Sequence, residues 1–388
     1  MHHRMRSRFH SLAALVGALS ALQCAPDAPA DRPPVPTAEL PPNVAVCQSC
    51  HQQTVASFVR TAHFQTSAEA TGESVKGHFE GARAHMATRA PGVYFAMSAR
   101  ADGFYQTAVD SNQRRTQTER MDIVVGSARR GQSFLFWKNR VLFQLPVSYV
   151  TVGDGWINSP GYTDGQVDFG RLIVPRCLEC HSTTFTTEAT PAGVVYGRAY
   201  VLGITCAKCH GGGATHVAQA SAGDRATGGP THIRNPARFT RERQLDTCAL
   251  CHSGNRPPRG PPFTYQPGDD LATYLAAPPT AVAAAPDVHG DQVGSLRRSK
   301  CFDKSPDMTC STCHNVHETQ RDVAAMARKC LACHQQTVHP RAAEIGDRML
   351  SACVDCHMPV SLSNALQINT PTGADGFSIR SHRIAVYP

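Results

Sequence analysis

From Ser11 to Leu22 the chain is apolar and uncharged, and it follows a stretch carrying Arg4, Arg6 and Arg8. That run is too short to span a bilayer. A basic stretch before a short apolar one predicts an export signal over residues 1–23. Nothing later in the sequence is apolar enough to cross a membrane. The next apolar bursts are rich in β-branched and aromatic residues. Val93 to Val109 is broken at Ala101-Asp102-Gly103, Phe134–Trp137 and Val141–Leu145 flank Lys138-Asn139-Arg140, and Val147–Val152 follows. Such bursts around turn residues predict hairpins, and hence a small antiparallel sheet over roughly residues 90 to 155. Phe134, Phe136, Trp137 and Phe143 are expected to form its core rather than a binding surface. The stretches Pro257–Pro262 and Ala276–Pro286 read as loops.

Ala25–Asn43 holds seven prolines, a composition that predicts an extended tether over residues 24–43. Cys24 stands between signal and tether, where it suggests a lipid anchor. The preceding Ala21-Leu22-Gln23 departs from the usual lipobox, in which a small residue precedes the cysteine, so ordinary cleavage nearby stays open.

The chemistry lies in the cysteines. Of 16, fourteen fall in seven copies of one pattern, CxxCH. The copies are Cys47-Cys50-His51, Cys177-Cys180-His181, Cys206-Cys209-His210, Cys248-Cys251-His252, Cys310-Cys313-His314, Cys330-Cys333-His334 and Cys353-Cys356-His357, numbered here motifs 1 to 7. One helical turn presents both thiols to the two vinyl groups of a haem and sets the histidine beneath the iron as proximal ligand. A single CxxC also suits a zinc half-site, a redox disulfide or a structural bridge. Seven copies, each followed at once by histidine, favour seven covalently bound haem c groups. Haem is attached outside the bacterial cytoplasm, which agrees with the signal and places the protein in the periplasm or on the outer surface.

Motif 1 stands alone in a segment at 44–89, and residues 90–176 form a β-rich insertion. The last six motifs occupy 177–357, about thirty residues each, within a domain at 177–388. So little chain per porphyrin predicts short helices and loops around stacked haems. The fold class expected is therefore mostly α with extensive coil, apart from the small β insertion.

Net charge changes the choice of partner. The formal value of +8 falls to +5 when Arg4, Arg6 and Arg8 leave with the signal. Each ferric haem with ionised propionates adds about −1, which brings the oxidised protein to about −2. The basic count is then no argument for nucleic acid, and the cations are expected to neutralise propionates.

The segment GITCAKCHGGGATHV (Gly203–Val217) resembles the CxxCHGPGxxH signature of the multihaem cytochromes, a superfamily with hydroxylamine oxidoreductase, pentahaem nitrite reductase and a tetrahaem cytochrome. SCHQQTVASFVRTAHF (Ser49–Phe64), MTCSTCHNVHE (Met308–Glu318) and CVDCHMPV (Cys353–Val360) are similar to the same group, and the resemblance runs from Val46 to His382 without the β insertion. It implies a multihaem cytochrome c fold. Nitrite reductases usually carry lysine at the catalytic haem, and all seven motifs here end in histidine. The resemblance makes His216 and His317 the first candidates for distal ligands, each reaching a neighbouring haem. His63, His339, His382 and His289 follow. His78, His85 and His232 read as ordinary surface or core residues. Cys301 reads as a small buried residue near a haem, with distal ligation or a redox role as alternatives.

Three functions fit. An electron-transfer cytochrome would pass electrons between redox partner proteins. An oxidoreductase would act on a small nitrogen or sulfur compound at one open haem. An interaction subunit would dock a partner through the β insertion. The sequence favours the first.

Overall fold

The computed structural model describes residues 40–191, 193–223, 232–277, 290–335, 338–370 and 373–387. The export signal, Cys24, most of the tether and His289 lie outside them.

Strands form where large apolar residues alternate with polar ones. In Val93–Arg100, Val93, Phe95 and Met97 are buried while Tyr94 faces out, the period of two of a half-buried strand. This strand pairs antiparallel with Gly103–Asp110 through the two-residue turn Ala101-Asp102. His85–Ala87 and Arg115–Met121 complete a four-stranded sheet. A six-stranded sheet runs in the order Ser67–Glu69, Ile123–Val125, Gly131–Lys138, Val147–Val150 and Gly155–Asn158, with Val141–Gln144 also paired to Gly131–Lys138. The two sheets bury one core between them, with Phe95, Met97 and Met121 from one and Phe134, Phe136, Leu145 and Trp156 from the other. Phe143 stacks on Phe136. Trp137 departs from the expected cluster. As the next residue along the strand it points to the opposite face, where it stacks on Tyr200 and packs toward Leu178, Phe185 and Tyr196.

The mostly-α expectation is overturned, because the structure is 31% helical and 27% strand, with several antiparallel sheets. Two further hairpins account for much of the difference. Ser182–Thr190 pairs with Gly193–Leu202 between motifs 2 and 3, and Val360–Thr370 pairs with Gly373–Arg380 after motif 7. The dense spacing of motifs suggested coil there, yet STTFTTEAT and GVVYGRAYVL are rich in β-branched and aromatic residues and meet at Pro191 and Gly193. The helices stay short for a local reason. Pro175–His181, Cys206–His210, Arg241–His252 and Cys353–His357 all stop at a motif histidine. Among the described residues, no helix is long and apolar enough to cross a membrane.

Candidate functional site

Each motif is built on a helical turn. The amide of His51 donates to the Cys47 carbonyl at 2.9 Å, and His314 to Cys310 and His334 to Cys330 do the same. Caps fix where these turns begin. Thr240 accepts from the Arg243 amide ahead of motif 4, and Asp322 from the Ala325 amide ahead of motif 6. Pro175 occupies the first turn ahead of motif 2.

All seven motifs open onto one cavity of about 2910 Å³, and every motif cysteine and histidine except Cys50 lines it. Ordinary small-ligand pockets hold about 300–1,000 Å³, so this space suits several large groups. Its walls carry apolar side chains that the polypeptide leaves uncovered. Val338 is 94% exposed, Val386 87% and Leu350 64%, and all three line the cavity. A flat apolar group lying in the cavity would cover them.

Histidine rings face each other across this space in four pairs. The pairs are His63–His252, His210–His317, His314–His382 and His339–His357, each with ring centres 6.1 Å apart. Two imidazoles bound to opposite sides of one metal at about 2 Å, with each ring centre about 1.1 Å beyond its nitrogen, stand about 6.2 Å apart. Each pair joins a motif histidine to one from elsewhere in the chain. The residues therefore fit a six-coordinate haem iron at motifs 4, 3, 5 and 7. Among the described residues, no three His, Cys, Asp or Glu side chains gather as a metal-binding group.

Second partners orient the rings. His210 Nδ1–H donates to the Arg234 carbonyl at 2.8 Å, and His357 Nδ1–H to the Ala385 carbonyl at 2.8 Å. Committing Nδ1 to a carbonyl leaves Nε2 with a free lone pair for a metal. Burial, then repulsion from the cationic forms of His63, His382 and His314, lowers His252 to about 4. Burial likewise lowers His63, His317 and His382. Burial of each thus favours the neutral form that binds metal.

His63 owes its place to backbone packing. The Ile204 amide donates to the His63 carbonyl at 3.0 Å. Gly203, at φ +67, lies so close that a Cβ there would stand 2.2 Å from the Phe64 carbonyl oxygen.

The sequence candidates divide cleanly. His63, His317, His339 and His382 each face a motif histidine, while His216 lines the cavity outside the four pairs. His51, His181 and His334 also line it outside those pairs, with His181 Nδ1 3.0 Å from Thr66 Oγ1. His78 pairs with Asp154 at 2.8 Å, His85 lies 3.2 Å from the Gly81 carbonyl, and neither they nor His232 line the cavity. Cys301 lines it between motifs 5 and 6. Sequence reasoning missed three charged residues at the cavity, Arg176 and Lys208 in its wall and Glu179 beside Arg176. Two of them occupy the variable positions of the motifs, where their type carries no recognised signal.

A sequence model of the family described as cytochrome c554 and c-prime matches residues 162–211, the stretch that holds motifs 2 and 3. No curated protein matches the chain. Among solved structures, the outer cell wall cytochrome OcwA is 14% identical with a TM-score of 0.55, over 88% of this chain and 78% of that one. An undecaheme cytochrome from the S-layer of Carboxydothermus ferrireducens is 17% identical with a TM-score of 0.34, over 81% of this chain and 50% of that one. The first likeness is one of fold. With the local family match, it supports a multihaem c-type cytochrome, for which covalent haem c is the implied cofactor.

Proposed function

We propose that this chain is an exported electron-transfer cytochrome with seven covalent haem c groups, passing electrons between a respiratory donor and an acceptor outside the cytoplasm. The observation that carries this reading is the set of four histidine pairs at 6.1 Å. Haem c supplies reversible one-electron chemistry at iron. The polypeptide's part is attachment, ligation and spacing. The fourteen motif cysteines form the thioether links, and the seven motif histidines are proximal ligands. His63, His317, His382 and His339 take the far side at motifs 4, 3, 5 and 7. His216 and His289 are candidates for the remaining three motifs. The local match over residues 162–211 supports a place near the superfamily of hydroxylamine oxidoreductase and the tetrahaem cytochromes.

Contacts between motifs support a continuous path. The side chains of Cys180 and Cys251, of Cys248 and Cys310, and of Cys47 and Cys206 are neighbours, and Cys209 lies near Cys248. Motif 2 therefore adjoins motif 4, motif 4 adjoins motifs 3 and 5, and motif 1 adjoins motif 3. Cys313 is close enough to Cys333, and Cys330 to Cys353, to interact electrostatically, which extends the series to motifs 6 and 7.

Intact-mass spectrometry of the purified protein tests the count. Seven covalent haems are expected, and five or fewer on intact motifs would overturn the reading. Fractionation tests the anchor. Membrane association that Cys24→Ser releases supports lipidation at Cys24, whereas a wild-type protein that is soluble and begins beyond Cys24 rules it out.

A further inference from the structure

Arg176 and Lys208 line the cavity where motifs 2, 3 and 4 come together, and Glu179 lies behind them, paired with Arg176. Arg176 precedes Cys177, Glu179 lies inside motif 2 and Lys208 inside motif 3. The Arg176 and Glu179 side chains are 12% and 9% exposed, and they pair at 3.5 Å. The Arg176 guanidinium also donates to the Leu250 carbonyl in motif 4 and lies 3.3 Å from the Cys180 sulfur. Its Nε is buried without a hydrogen-bond partner. Glu179 accepts from the Phe263 amide at 2.8 Å. Lys208 Nζ donates to the Thr183 carbonyl at 3.3 Å and sits 5.3 Å from the centre of the Phe263 ring, a cation–π contact. The Glu179 carboxylate lies near enough to act on its charge. Two cations against one carboxylate leave one positive charge in a wall that solvent screens poorly.

A cluster of this kind is costly. A buried ion pair is often no more stabilising than an apolar one of the same size, and an unpartnered guanidinium nitrogen adds to that cost. The arrangement has an electrostatic consequence for any iron beside it. One-electron reduction takes Fe(III) to Fe(II) and removes one unit of positive charge there, with no proton required. A fixed positive charge nearby favours that change, and a fixed negative charge opposes it.

We propose that Arg176, Glu179 and Lys208 form a fixed, net-positive cluster that raises the reduction potential of the haems held by motifs 2 and 4, making them the electron-accepting station of the path. The inference rests on the haem reading above. Arg176 supports a backbone carbonyl, so Lys208 and Glu179 are the residues to vary. Lys208→Met removes a cation and keeps much of the length of the side chain. Lys208→Arg keeps the charge. Glu179→Gln removes the anion and keeps an acceptor for the Phe263 amide.

The test is a spectroelectrochemical titration of the holoprotein, with dye mediators supplying the electrons and the haem α-band as readout. Lys208→Met is expected to lower the midpoint of a resolved component, Glu179→Gln to raise that same component, and Lys208→Arg to leave it near wild type. Opposite shifts cannot come from loosened packing, which would move both variants alike. Unchanged curves, or shifts of one sign in both variants, would overturn the proposal. A variant that fails to fold is replaced by Lys208→Gln, with the same expected sign. A wild-type mass lacking covalent haem would instead sink the parent reading, and this one with it.

Discussion

His63 and His252 face each other with ring centres 6.1 Å apart and planes at 87°, although one follows motif 1 and the other ends motif 4. The pair ties the N-terminal segment to the middle of the chain. His63→Ala would remove the distal ligand proposed for motif 4 and leave all fourteen attachment cysteines in place. The expected protein keeps its full haem mass and gains one high-spin ferric signal in its EPR spectrum. A variant with an unchanged low-spin count would show that His63 is not a ligand.

Gly203 packs tightly against the segment that carries His63. Its φ of +67 disfavours any side chain, and a Cβ would collide with the Phe64 carbonyl. Gly203→Ala is expected to cost more than about 1 kcal/mol in denaturant unfolding. It should also broaden the EPR signal assigned to the His63–His252 pair, since the Ile204 amide that bonds the His63 carbonyl must move with it. A variant as stable as wild type would mean that the segment shifts without resistance.

The helical turn at each motif was legible because it is local. Cys206, Cys209 and His210 lie within five residues, and one helical turn does the rest. Ligand pairing was not legible, because nothing in the spacing of His317 says that it meets His210 rather than another motif. The hairpin Ser182–Thr190 with Gly193–Leu202 was hidden by an argument from motif density, although its β-branched residues are plain in the sequence. Trp137 was grouped with Phe136 by proximity in sequence, whereas strand geometry sends the two to opposite faces. Lys208 and Glu179 were invisible for a further reason. Within CxxCH the two middle positions read as spacers, and only the fold brings those of motifs 2 and 3 to one place.

Asp154 makes a pH-dependent contact on the β unit, away from the cavity. Its carboxylate accepts from the Tyr149 hydroxyl, the Arg83 guanidinium and the His78 ring, and these bonds hold it well below the usual carboxylate range. Burial, then the bond to Asp154, pushes Tyr149 up to about 12. A carboxyl with a depressed folded pKa stabilises the fold above its unfolded value, about 4, and loses that contribution as pH falls further. Asp154 has φ +48, a conformation that asparagine also tolerates, so Asp154→Asn removes the charge and spares the backbone. The variant is expected to melt below wild type at neutral pH, with the gap closing as pH drops below about 4. Melting curves followed by circular dichroism check this. A gap independent of pH would assign the effect to something other than the carboxylate.

The four histidine pairs differ in one further respect, the angle between their rings. His210–His317 and His314–His382 lie near parallel, at 16° and 33°, while His63–His252 and His339–His357 lie near perpendicular, at 87° and 77°. In a low-spin ferric haem, each imidazole interacts with the iron d orbital that its ring plane selects. Parallel rings act on one orbital and split the pair widely, which gives a rhombic EPR signal. Perpendicular rings act equally on both orbitals and leave them nearly degenerate, which gives a strongly anisotropic signal with one very large g value. The oxidised protein is therefore expected to show both classes together. His317→Ala should remove intensity from the rhombic class and His63→Ala from the anisotropic one. Neither change touches a thioether link, so the haem mass serves as the internal control. A spectrum of one class only would mean that the rings turn away from the angles found here. Loss from the wrong class would mean that the ligand pairs are misassigned.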